Sequence, residues 1–208
     1  MSAGPAALLA RALDPSVEPP DDALSERILD AALGLAAASG LRNLTMDDVS
    51  RRARVGRMTV YRRFGDKERL IEALAVRECR RCLEQLGAAM VADAPIEDQL
   101  AAGFVTGLRL AREHPLLSRL ARFEPEAVLR ALVAEGGLVF AAARGFVTAR
   151  LLGSQEGGVI EPVEVEQVAE LLVRLAFSFV LIQESALPLD DEEAAGDVAK
   201  RLIAPMLG

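Results

Sequence analysis

The run TMDDVSRRARVGRMTVYRRFGDKERLIEAL, from Thr45 to Leu74, constrains this chain more than any other segment. Thr45 precedes a short helix, Met46 to about Ala53, and Asp48 stands three residues on, which is the spacing of a reciprocal N-cap. Arg54–Gly56 makes a tight turn. A second short helix follows, Arg57 to Phe64, with Val60 and Phe64 as its inward pair. Gly65 ends it, and Asp66 caps a longer helix from Lys67 to about Met90. Helices of about eight residues are marginal on their own in water, so these must share a core. Two short helices on one turn form a helix-turn-helix over about residues 45–64. In that motif the second helix enters the major groove and the first braces against the DNA backbone.

Charge supports this reading only when it is mapped along the chain. The net charge of -7 argues by itself against nucleic acid. Residues 40–69, however, hold nine Arg or Lys against four acids, a balance of +5, which leaves −12 for the rest. A basic patch on an acidic body separates a polyanion-binding face from a surface kept away from it.

Helical periodicity runs through most of the remaining sequence, and no strand-like alternation or internal repeat stands out. Residues 1–22 read as a flexible arm with a short helix near Ala6–Leu13, broken by DPSVEPPDD. Arg11 in this arm is a candidate for reaching a minor groove. The first body helix runs from about Leu24 to Ser39 and stops at Gly40. Beyond Pro95 the pattern predicts helices over 96–113, 116–122, 125–152, 162–186 and 191–206, with GSQEGGVIE (Gly153–Glu161) as a loop. The longest apolar run, Leu171–Ile182, contains Arg174 and is shorter than the roughly 20 residues a bilayer requires. The N-terminus lacks the basic segment of a signal peptide. The expectation is a soluble, cytoplasmic protein with no membrane contact and no cofactor.

With Val60 and Phe64 inward, Arg57, Met58, Thr59, Tyr61, Arg62 and Arg63 lie on or beside the outer face. Arginine suits guanine O6 and N7, Thr and Met can meet a thymine methyl, and the Tyr61 hydroxyl suits phosphate. Thr45 and Lys67 stand at helix N-termini, where free amides attract phosphate.

These residues carry a resemblance. The T-x-Y-x-x-F of Thr59, Tyr61 and Phe64, the D-K-E-x-L of Asp66, Lys67, Glu68 and Leu70, and the T-x-x-D-V of Thr45, Asp48 and Val49 are similar to the signature of TetR-family bacterial repressors. The resemblance covers about residues 24–75. It implies an all-α fold, with a three-helix DNA-binding domain on a larger helical domain for ligand binding and dimerisation. It also implies a homodimer on a double-stranded, near-palindromic operator, released by a small-molecule effector. Position by position, Thr45, Thr59, Tyr61, Arg63 and Lys67 fall on DNA-contacting positions, and Arg57, Met58 and Arg62 on variable ones. Two residues depart from the pattern. Arg54 stands where Gly often closes the second helix, and Gly56 stands where Ser often caps the third.

The domain expectation is therefore an arm at 1–22, a DNA-binding domain at 23–70 and a helical domain at 71–208. In the last, Phe104, Phe123, Phe140 and Phe177 are the candidates for lining an effector cavity. Leu171, Leu175, Phe179 and Ile182 are the candidates for a dimer seam, because the Leu171–Ile182 helix is apolar on nearly all sides. Cys79 and Cys82 share a helical face with Ile71, Ala75 and Leu86 and read as packing residues. His114, before Pro115, reads as a helix-end residue. No nucleophile–His pair, phosphate-cradling Gly loop or metal cluster stands out, so an enzyme is not expected. The rival reading is a helical adaptor that keeps the fold and binds protein, not an operator.

Overall fold

The structure, a computed structural model, describes residues 22–91, 94–123, 138–182 and 184–207. The arm helix at 6–13, Arg11 and the 125–137 part of the predicted 125–152 helix lie outside these residues. Among the described residues there is no strand. The helices are α1 (Ala23–Ser39), α2 (Met46–Ala53), α3 (Arg57–Phe64), α4 (Lys67–Ala89), α5 (Ile96–Glu113), α6 (Pro115–Phe123), α7 (Leu138–Glu156), α8 (Val165–Leu181) and α9 (Glu192–Val198). After α9 the chain continues through a wide turn, Ala199–Ile203, and a narrow one, Ala204–Leu207.

Two of these bounds correct the sequence reading. The helix predicted to end at 152 runs on to Glu156, so the first four residues of the expected loop are helical. The helix predicted over 162–186 is shorter, Val165–Leu181.

The chain divides into two compact units, Met1–Arg81 with Pro115–Leu138, and Cys82–His114 with Val139–Gly208. The first extends past residue 70 because Leu70, Leu74 and Leu116 share one core with Ile28, Leu29, Leu44, Val49, Val60 and Phe64. The buried face of α4 in this unit is Leu70, Leu74, Arg77 and Glu78. Arg77 is 3% exposed. It is balanced by Glu26 at 3.1 Å, Asp30 at 2.9 Å and Glu78 at 2.8 Å. A charge that deeply buried requires such partners. Cys79 and Cys82 are half-buried and unbridged. Burial, and then the neighbouring Glu78, pushes the Cys79 thiol up to about 11.

The second unit packs α5, α7, α8 and α9 around cores that include Leu100, Leu151 and Val168, and Leu108, Ala195 and Val198. His114 caps α5, its backbone N–H donating to the Leu110 carbonyl at 3.0 Å.

The turn between α2 and α3 resolves both departures from the repressor signature. Arg54 adopts φ 54°, ψ 47°, the left-handed region that Gly usually fills. Its N–H donates to the Arg51 carbonyl at 3.2 Å and the Val55 N–H to the Ser50 carbonyl at 3.0 Å, a Schellman closure. Gly56 caps α3 from extended backbone (φ −66°, ψ 141°) and gives it no side-chain hydrogen bond. Replacing Arg54 with Gly should remove the left-handed strain and stabilise the protein by about 0.5–1 kcal/mol. A thermal melt of Arg54→Gly with unchanged or lower Tm would show that the arginine side chain makes compensating contacts.

Candidate functional site

The first unit builds its basic face from three caps and two buried side chains. Asp22 caps α1, accepting from the Leu24 and Ser25 amides at 3.1 and 3.0 Å. Thr45 caps α2, its Oγ1 accepting from the Asp48 amide at 3.1 Å. The expected reciprocal bond closes differently: the Asp48 carboxylate accepts from the Thr45 hydroxyl in place of the Thr45 backbone N–H. Thr45 and then Arg51 hold the Asp48 carboxyl below the usual carboxylate range. Asp66 caps α4 through the Arg69 amide at 2.8 Å. Val60 is fully buried and Phe64 is 6% exposed, which fixes the roll of α3.

That roll turns Arg57, Met58, Arg62 and Arg63 to solvent, with Met58 at 76% exposure. Thr59 is half-exposed. Tyr61 also differs from a fully exposed face residue: it is half-buried and packs its ring against the core edge. Arg57 lies over the Tyr61 ring, its guanidinium carbon 5.4 Å from the centroid. The α3 N-terminus carries amides that Gly56 leaves without a side-chain partner, a natural place for phosphate.

Three contacts on this face were not read from the sequence. Arg57 Nε lies 2.8 Å from Asp47, and Arg63 lies 2.6 Å from Asp22. Lys67 Nζ donates to the Arg42 carbonyl at 2.7 Å. Asp47 carried a usable signal, since it opens α2 directly before the turn. Asp22 carried none, because it is 41 residues from Arg63 in sequence. The Ser25 amide first, with Arg63 adding to it, holds the Asp22 carboxyl below its ordinary value.

The second unit holds a cavity of about 260 Å³ that opens to solvent beside Leu175 and Ala176. Leu83, Leu86 and Met90 form one wall from α4 and its end, and Gly103, Phe104 and Gly107 another from α5. Ala143, Phe146 and Val147 of α7 and Leu172, Ala176, Phe177 and Phe179 of α8 complete most of the rest. A Cβ on Gly103 would stand 3.0 Å from Met90 Sδ, so this glycine lets the two walls approach.

The candidate lining residues divide. Phe104 and Phe177 line the cavity. Phe140 does not; it packs on the outer side of Phe177, centroids 6.1 Å apart, under the Arg174 guanidinium. Phe123 belongs to the first unit and is 61% exposed, with Arg119 and Arg122 over its ring. Phe146 and the Leu83–Leu86–Met90 stripe take the vacant roles; their helical spacing was a legible signal. The candidate seam divides as well. Leu171, Leu175 and Ile182 are 49%, 37% and 66% exposed. Phe179 turns inward instead, edge-on to Phe104 at 5.5 Å, because its helix position falls on the cavity side.

Comparison with known proteins agrees with this geometry. Residues 28–74 match the family model described as "Bacterial regulatory proteins, tetR family". Over that segment the chain is similar to TetR-family regulators. An uncharacterised helix-turn-helix-type transcriptional regulator of Mycobacterium tuberculosis is 25% identical over 157 residues, 76% of this chain and 74% of that protein. Similar solved structures include Salmonella enterica GusR, at TM-score 0.65 and 20% identity, covering 88% of this chain and 95% of that one. The TetR-family repressor AlkX from Dietzia, implicated in biodegradation of n-alkanes, has TM-score 0.60 and 25% identity, covering 87% and 96%. The regulator's fold is thus all-α with an N-terminal helix-turn-helix. No helix among the described residues is long and apolar enough to cross a membrane.

If Arg63 meets a phosphate, Arg63→Ala should weaken duplex DNA binding and reduce the slope of log affinity against log salt by about one. An unchanged slope together with a lowered Tm would assign Arg63 to the Asp22 cap and not to DNA.

Proposed function

We propose that this regulator is a homodimeric repressor. Each copy lays α3 in the major groove of one half of a near-palindromic operator, and a small molecule in the second unit releases the DNA. One observation carries the reading: Val60 and Phe64 are buried, so Arg57, Met58, Arg62 and Arg63 face outward together on a single short helix. Thr45, Thr59, Tyr61 and Lys67 flank this face at the DNA-contacting positions that the family resemblance implies. The repressor assignment is supported by AlkX, which is described as a repressor.

The dimer is supported by α8. Exposed apolar side chains that recur on one helix face mark a surface that other protein covers. Leu171, Leu175 and Ile182 form such a face. The effector role is supported by a concave apolar space within a helical unit, the ordinary form of a small-molecule site. Binding would act as a population shift, favouring an arrangement in which two recognition helices no longer match successive grooves.

The test is a mobility shift on DNA upstream of the regulator's own coding sequence, run at several salt concentrations. A shift that weakens steeply with salt is expected. No shift at low salt would favour the adaptor reading. Leu171→Glu should split the dimer into monomers in sedimentation velocity, since each seam would bury two unpaired carboxylates. An intact dimer would move the seam off α8.

A further inference from the structure

The second unit's cavity is unusual in what its walls lack. Among its eighteen lining residues every side chain is aliphatic, aromatic or thioether, or is absent as in Gly103 and Gly107. None offers a nitrogen or oxygen to a ligand. A ligand with a polar head could still be served by a charged group at the rim, so the flanking arginines decide the matter. The arginines that flank the walls on α5, α7 and α8 include Arg109 after Leu108, Arg144 after Ala143, Arg150 three beyond Val147, and Arg174 after Val173. These four have other partners, Arg109 lying 3.9 Å from Glu192. Arg144 and Arg174 both donate to Glu170, at 2.8 and 2.6 Å. Arg174 and then Arg144 hold the Glu170 carboxyl below its ordinary range. Arg150 donates to the Gly87 and Met90 carbonyls, each at 3.1 Å, capping the end of α4.

We infer that the cavity takes a neutral, hydrocarbon-like molecule and rejects the carboxylate of the same skeleton. At roughly 30 Å³ per water-sized group, about 260 Å³ admits roughly nine or ten carbon-sized groups. The binding term is removal of apolar surface from water, which needs no partner atoms. An ionised head in the same space loses its hydration and gains no donor, and that loss falls entirely on affinity. This inference rests on the reading of the second unit as the effector site and names the chemistry that site accepts.

The test uses two matched pairs on the full chain: naphthalene against 2-naphthoate, and n-butylbenzene against 4-butylbenzoate. Binding is followed by calorimetry, and operator retention by mobility shift. At least one hydrocarbon should bind, and its acid should bind at least about 100-fold more weakly. Ala143→Phe should fill the space and abolish hydrocarbon binding. Ala176→Arg, at an exposed lining position, should narrow or reverse the preference by giving the acid a cation. Both variants are checked by cooperative melting, and the wild-type comparison of acid and hydrocarbon decides the question even if either fails to fold. Equal or tighter binding of the acids by the wild-type protein overturns the inference, and so does the absence of binding by both hydrocarbons. Hydrocarbon binding with unchanged operator affinity supports the ligand class while removing the effector role. Operator release by an acid alone keeps the effector role and overturns the class.

Discussion

The burial of Val60 and Phe64 is the contact on which the DNA-facing chemistry of this regulator depends. An eight-residue helix has too few internal hydrogen bonds to hold itself, so α3 exists because a core accepts its two apolar side chains. Each contributes on the order of 1.5–3 kcal/mol by leaving water. The same two contacts set the helix's roll, and with the roll every outward residue is assigned. A rotation by one residue, about 100° at 3.6 residues per turn, would carry arginines into the core. The left-handed Arg54 and the uncapped Gly56 make the turn short enough for α2 and α3 to share that core.

On the outward face, acids hold the cations in place before any partner arrives. Asp47 holds Arg57 and Asp22 holds Arg63, with Arg57 also lying over Tyr61. At the exposure of these groups the pairs add little to stability. Their effect lies in order: a side chain already confined to a few rotamers loses less entropy when it meets a phosphate or a base.

Helix α4 has a part in both units. Its first turns place Leu70 and Leu74 in the core beneath α3, and its later turns place Leu83 and Leu86 on the cavity wall. The cavity's wholly apolar lining makes its filling a matter of volume and shape. Gly103 and Gly107 add to that space by withholding side chains where Met90 and Leu86 approach.

Much of this was legible in the sequence because it is local. Caps, turn residues and helical spacing between Thr45 and Leu74 depend on neighbours a few positions apart, so α2, α3, their turn and the outward arginines follow from the chain alone. The family resemblance rests on the same stretch. Tertiary structure decided what depends on distant partners. Arg77 shares a helical face with Leu70 and Leu74, but spacing does not say what balances a charge there; Glu26 and Asp30 from α1 do so. Phe179 reads as seam and faces inward, and Phe123 reads as cavity and faces solvent, because periodicity tells which residues share a face but not what that face meets. Sequence spacing fixes angles around a helix axis; only the packing of helices against one another decides which of those angles lead to water.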